Sequence, residues 1–165
     1  MSTATLNYAP PSPTAPATFK KQPGETVQFK GDLHYTVGEP GLKNLFTGRF
    51  KVTECTVFLT SHRLVATPLR RYFPWGPLVW LIIALCPRKI VFSIPLAELA
   101  AIKLDPAHKT TLVLQTTSGM EYTMVSPTLF NSQPKWVTAI SSAVTQGNPG
   151  TSAQTSETAI TFARG

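Results

Sequence analysis

The hydrophobic pattern of this chain predicts a mainly β (α+β) fold: six to seven antiparallel strands in a small barrel or sandwich, capped by one C-terminal amphipathic helix. Three observations carry that expectation. Val27, Phe29, Leu33, Tyr35 and Val37 alternate with Gln28, Lys30, Asp32, His34 and Thr36, which is the period of two of a half-buried strand. Further β-branched and aromatic runs follow, separated by Gly, Pro and Asp punctuation. Near the end, Trp136, Val137, Ile140, Ala143 and Val144 recur at spacings of three and four, the stripe of a helix with one apolar face. Strands first and one helix last leave an antiparallel sheet with the helix laid over its open side.

The first strand covers 27–37, with Gly31 as its candidate bulge, and Gly38, Pro40 and Gly41 end it. A second strand is expected over Leu45–Val52 and a third over Cys55–Ala66. Lys89–Ile94 (KIVFSI) reads as the next, ended by Pro95. Leu96, Leu99 and Ile102 follow at spacing three, which fits a helical turn or a bent strand equally. Asp105-Pro106 marks a turn. Thr111–Thr117 (TLVLQTT) and Met120–Val125 (MEYTMV) flank Ser118-Gly119, a hairpin signal. Asn131 or Ser132 is placed to cap the helix, Pro134 suits its first turn and Gly147 its stop. Trp136 is the expected anchor of the helix into the core.

Composition divides the chain into three parts. Residues 1–23, with Pro10, Pro11, Pro13, Pro16 and Pro23, read as a flexible Pro-rich tail. Residues 24–147 form the domain, and 148–165, rich in Gly, Ser, Thr and Ala, read as a second flexible tail. Pro13-Thr14-Ala15-Pro16 resembles a short peptide motif bound by eukaryotic sorting machinery, although a plain tail is the favoured reading. Residues 1–19 hold no Lys or Arg and no continuous apolar run, so they do not read as a secretory signal. The two cysteines, Cys55 and Cys86, imply no disulfide framework and fit reduced thiols in a cytosolic compartment.

Charge is sparse and asymmetric. Fifteen Lys+Arg against eight Asp+Glu give +7, and charged residues make up only 14% of the chain. No acidic residue lies between Glu54 and Glu98, whereas Arg63, Arg70, Arg71, Arg88 and Lys89 do. Inside that basic stretch runs an uncharged segment, Tyr72–Pro87 (YFPWGPLVWLIIALCP). It joins two strands that an ordinary hairpin would connect through a few polar residues. The basic residues border this apolar run and do not interleave with stacking aromatics across a sheet. No helix-turn-helix, zinc-finger or RNA-recognition signature accompanies them, which argues against a nucleic-acid partner.

Val57-Phe58-Leu59-Thr60-Ser61-His62-Arg63-Leu64-Val65 resembles the aromatic-Leu-Thr-x-x-Arg-Leu-aliphatic strand of GRAM domains and related bacterial PH-like domains. Phe92-Ser93-Ile94-Pro95-Leu96 is similar to the segment that follows it in that family, and the paired strands at 111–125 and the Trp-bearing helix at 134–146 fall in the expected order. The resemblance covers residues 25–146 and implies a PH-like fold. It also implies a non-enzymatic module that binds phosphoinositides, other anionic lipids or proteins and recruits its owner to membranes. Arg63 is, by the same resemblance, more a structural residue than a headgroup ligand. The chain departs from the pattern in its apolar insert, where a short polar loop is usual, and in Ala66, where an aromatic is common.

Catalysis has little support. His34, His62 and His108 lack metal-ligand spacing, no Ser sits in a nucleophile elbow, and no Gly-rich loop would cradle a phosphate. No cofactor and no metal are expected. The insert of residues 70–89 has three readings: it dips into one leaflet, it docks a protein partner or its own copy, or it belongs to a membrane span. Its apolar length favours the first. In that reading Arg70, Arg71, Arg88 and Lys89 meet lipid headgroups, while Phe73, Trp75, Trp80, Leu81 and Ile82 enter the apolar layer or the partner. The expected activity is that of a cytoplasmic adaptor, peripheral at an anionic membrane. The alternative is a protein-interaction or oligomerisation module.

Overall fold

The computed structural model describes residues 18–37, 51–69, 88–104, 110–126 and 133–165. The elements are β1 (Val27–Val37), β2 (Lys51–Thr60), β3 (Arg63–Pro68), β4 (Phe92–Pro95), a 3-10 turn (Leu96–Glu98), β5 (Leu99–Leu104), β6 (Thr111–Thr116), β7 (Glu121–Val125), α1 (Gln133–Gly147), β8 (Thr151–Thr155) and β9 (Ala159–Arg164). The strands form one antiparallel sheet in the order β4-β3-β2-β1-β7-β6-β5-β9-β8. Its ends, β4 and β8, do not pair with each other, so the sheet is open and not a closed barrel. β1 joins the two halves, pairing with β2 along its length and with β7 at His34–Thr36.

The alternation read from β1 places Leu33 and Tyr35 in the core, with Phe29 and Val37 packed against it. Cys55, Val57 and Leu59 of β2 and Leu64 and Ala66 of β3 bring the same face inward. Phe92, Ile94, Leu112, Leu114, Tyr122 and Met124 complete the sheet side. Tyr35, Phe92 and Tyr122 make an aromatic cluster, with ring centroids 4.9 Å apart for Tyr35–Phe92 and 5.1 Å for Phe92–Tyr122.

Helix α1 closes this core with Trp136, Ile140, Ala143 and Val144, the larger of which each contribute roughly 1.5–3 kcal/mol. The indole of Trp136 meets Phe29 edge-on, with centroids 4.7 Å apart at 86°. The same indole lies over Gly31, where an added Cβ would stand 3.1 Å from Trp136 Cζ2. Gly31 therefore serves close approach and not a bulge. It pairs in register with Val57, and the irregularity of β1 falls between Val27 and Phe29.

Four other expectations are corrected. The sheet has nine strands among the described residues instead of six to seven. The single strand expected over Cys55–Ala66 is a hairpin, β2 turning into β3 at Ser61-His62. Thr60 makes that turn: its hydroxyl accepts the backbone N–H groups of His62 at 3.3 Å and Arg63 at 3.0 Å, drawing the chain out of the ladder. The C-terminal segment expected as a tail forms the β8–β9 hairpin beside β5, because Ile160 and Phe162 are apolar at period two and both are buried. Part of the N-terminal tail, 18–23, lies against the sheet. Phe19 stacks on Phe58 with centroids 5.1 Å apart, which gives an aromatic in a Pro-rich segment a place to bury. The spacing-three run resolves into both of its alternatives, a 3-10 turn followed by strand β5. The part of the second strand expected before Lys51 lies outside the described residues.

Candidate functional site

Residues 18–25 run as a strap across the outer face of β2 and β3, and two arginines meet it. Thr18 bridges Lys89, and the Phe19 N–H donates to the Arg88 carbonyl at 2.7 Å. Further along, Arg63 Nη2 donates to the Lys20 carbonyl at 2.8 Å.

Arg63 is committed through Nε and Nη2. Its Nε donates to Glu25 Oε1 at 2.9 Å and its Nη2 to Glu25 Oε2 at 3.1 Å, and the Glu25 side chain has no exposed surface. The Thr60 hydroxyl stands 2.7 Å from the same carboxylate, and the Gln22 N–H donates to it at 2.7 Å. Burial alone would raise the pKa of Glu25. The hydrogen bonds from Arg63, Gln22 and Thr60, with the charge of Arg63, outweigh it and hold the carboxyl at about 2. This network ties the strap to the β2–β3 turn, so Arg63 is structural.

The second cluster is uncommitted. On the outer face Lys30 pairs with Phe58 and Asp32 with Thr56. Arg88 Cζ lies 5.2 Å from the Phe58 ring centroid and Lys30 Nζ 5.6 Å from it, so two cations share one ring. Neither forms an ion pair with a carboxylate of the described residues. Beside them opens a cleft of about 440 Å³, lined by Lys30, Gly31, Asp32, Thr56, Pro68, Leu69 and Arg88. The Asp32 carboxylate on its wall accepts the Thr56 hydroxyl at 2.8 Å. Two cations over one ring, beside an open cleft that also holds the Asp32 carboxylate, make this wall of the cleft locally positive.

Of the residues singled out from sequence, Arg88 lines this cleft, and Lys89 is exposed beside it at the strap bridge. Arg70, Arg71, Phe73, Trp75, Trp80, Leu81 and Ile82 lie outside the described residues. Sequence reasoning missed Lys30 and Phe58 as site residues. The alternation of β1 already puts Lys30 on the outer face, but no spacing in the sequence says that it pairs with Phe58. Cys55 offers no chemistry: burial pushes its thiol up to about 11, against a backbone hydrogen bond from Tyr35. Among the described residues no group of three His, Cys, Asp or Glu side chains converges as a metal site, and no helix is long and apolar enough to cross a membrane.

No protein-family model matches the chain, and no curated protein matches it. Solved structures do. The linker-DH/PH domains of p115-RhoGEF superpose with a TM-score of 0.51 at 12% identity, over 74% of this chain and 30% of that one. The DH/PH domain of human ARHGEF11, in a ternary complex with human RhoA and its inhibitor, gives 0.52 at 14% identity, over 74% and 30%. The DH/PH domains of PDZ-RhoGEF, in complex with activated RhoA, give 0.51 at 13% identity, over 76% and 31%. This chain thus spans under a third of the length of these three DH/PH chains, and identities this low speak for fold alone. The open antiparallel sheet closed by α1 is a PH-like fold.

Proposed function

We propose that this chain is a non-enzymatic PH-like module of the GRAM type that binds anionic lipid and places its owner at the cytoplasmic surface of a membrane. The observation that carries the reading is the pair of Lys30 and Arg88 over Phe58, beside an open cleft and without a carboxylate partner among the described residues. Arg88 follows the apolar segment directly in sequence, so a headgroup in the cleft would sit where the insert ends. A phosphoinositide headgroup, rich in phosphate oxygens, suits two converging cations. Arg70, Arg71 and Lys89 supply further positive charge, each worth about 1 kcal/mol near an anionic surface. Phe73, Trp75, Trp80, Leu81 and Ile82 supply the apolar part, at roughly 1.5–3 kcal/mol for each large side chain buried. After association costs, two or three such insertions give binding in about the micromolar range.

A protein partner is the second reading. The same uncharged run would suit a protein face, and DH/PH domains of PDZ-RhoGEF have been crystallised with RhoA. Vesicle co-sedimentation separates the two. Lipid binding predicts pelleting with anionic but not neutral vesicles, weakened by salt, and loss of pelleting when Trp80 and Leu81 are both replaced by Asp. Equal recovery with anionic vesicles for that variant and the parent chain would sink the lipid reading.

A further inference from the structure

The two ends of the sheet are finished differently. β4 is four residues long and closes on Pro95, which removes a donor, and the strap bridges Lys89 just before it. β8 carries none of these guards. Its five residues, Thr151-Ser152-Ala153-Gln154-Thr155, hold no charge and no proline, and among the described residues it pairs with β9 alone. Ser152 to Thr155 are exposed.

The ladder fixes which backbone groups point outward. Gly165 N–H donates to the Gly150 carbonyl at 3.3 Å and Ser156 N–H to the Ala159 carbonyl at 2.8 Å. With Thr151 opposite Arg164 and Thr155 opposite Ile160, the even-numbered residues of β8 are the ones bonded to β9. Thr151, Ala153 and Thr155 therefore aim their N–H and C=O groups away from the sheet. The Thr151 N–H is already used, donating to the Asn148 carbonyl at 3.0 Å. Two donors and three acceptors remain on this edge, centred on Ala153.

We propose that β8 is a self-association edge, pairing antiparallel with β8 of a second copy of this chain about a two-fold axis at Ala153. In that register Ala153 exchanges N–H and C=O with Ala153 of the second copy, and each Thr155 N–H meets the other's Thr151 carbonyl. All four outward donors of the two strands are then satisfied. The axis falls on the smallest side chain of the strand, so the two Ala153 methyl groups that face each other across it do not crowd. Charge does not oppose an identical partner at this edge. The chain carries +7, yet the only charged residues after Lys135 are Glu157 and Arg164. Arg164 is turned back to donate to the Leu99 carbonyl at 3.1 Å. Glu157 falls opposite Pro149 of the other copy in this register. A strand pair of this length buries little area, so the association is weak and concentration-dependent.

Sedimentation equilibrium of the full 165-residue chain from roughly 10 µM to 1 mM tests this, with hydrogen exchange of the Ala153 and Thr155 amides alongside. The expected result is a monomer–dimer equilibrium, with those two amides gaining protection as concentration rises while Ser152 and Gln154 are protected throughout. Ala153→Pro removes two of the four intermolecular donors and no donor to β9, so it should weaken dimerisation by about tenfold or more. Ala153→Lys keeps the N–H but sets two like charges on the axis, and should also yield monomer. Unchanged thermal unfolding of Ala153→Lys shows that the fold survives. A chain that is monomeric across the range, or a dimer that both variants leave intact, overturns the proposal. So does an edge protected only when an unrelated extended peptide is added.

Discussion

Arg63 and Arg88 meet the same strap and end in opposite states. Arg63 lies 5.9 Å from the Phe19 ring centroid and gives its donors to Glu25 and the Lys20 carbonyl. Arg88 accepts the Phe19 N–H through its carbonyl and leaves its guanidinium over Phe58, beside a cleft. Arg63 is buried with a carboxylate, and Arg88 is half-buried with no carboxylate partner among the described residues. Partnership separates them better than position does: both stand in the same acid-free stretch of sequence, yet among the described residues only Arg63 has a carboxylate to neutralise it.

The largest effect should come from breaking the committed side. Arg63→Ala leaves Glu25 buried and uncompensated, and should destabilise the fold by about 3–5 kcal/mol. Urea unfolding measures this, and a loss under ~1 kcal/mol would mean that the strap is held by other contacts. Glu25→Leu combined with Arg63→Met should recover most of the loss, since an apolar pair of similar volume leaves no orphaned charge. The pair also sets an acid limit. Glu25 titrates at about 2 in the folded chain against an ordinary 4.5. Between those values the unfolded chain binds the extra proton, so stability falls as pH falls. Its contribution is complete above pH ~4.5 and gone below pH ~2. Unfolding midpoints between pH 5 and 2 should show that decline in the parent chain and a shallower one in the Glu25→Leu/Arg63→Met variant.

How much of this was legible in the sequence follows from how local each signal is. β1, the Ser118-Gly119 hairpin and the helix stripe were legible because period and turn chemistry are properties of neighbouring residues. The split at Ser61-His62 was hidden because Cys55–Ala66 is apolar on both sides of it, and the Thr60 hydroxyl that makes the turn looks like any strand threonine. The β8–β9 hairpin was hidden by composition: its small polar residues read as a tail, and only Ile160 and Phe162 betray a buried face. Lys30 over Phe58 required a register, which no single segment contains. Gly31 was legible as special but not for its reason, since Trp136 stands more than a hundred residues later.

That glycine supplies a control of intermediate size. Gly31→Val would drive a branched side chain into the Trp136 indole and should destabilise the fold by about 1–3 kcal/mol. Gly31 lines the cleft with backbone alone and the added side chain points at Trp136, so if the cleft takes an anionic headgroup the folded fraction should keep most of its binding to anionic vesicles. A variant that folds but fails to bind would mean that the cleft depends on the exact lie of β1.

The smallest effect on stability should come from the uncommitted side. Arg88→Ala removes a cation that holds no carboxylate among the described residues and keeps the backbone carbonyl that anchors Phe19. Unfolding should shift by no more than ~1 kcal/mol, the range of a partly exposed cation over a ring. Lys30→Ala should do the same. If the cleft takes an anionic headgroup, each change should weaken vesicle binding by about fivefold, and the pair together by more than either alone. Arg88→Lys discriminates further: a lysine keeps the charge but loses the planar fork, so it should retain general attraction to anionic vesicles while losing preference for a multiply phosphorylated headgroup. Equal binding by Arg88→Ala and the parent chain, with stability unchanged in both, would mean that the second guanidinium is merely solvated, and the contrast with Arg63 would be one of burial alone.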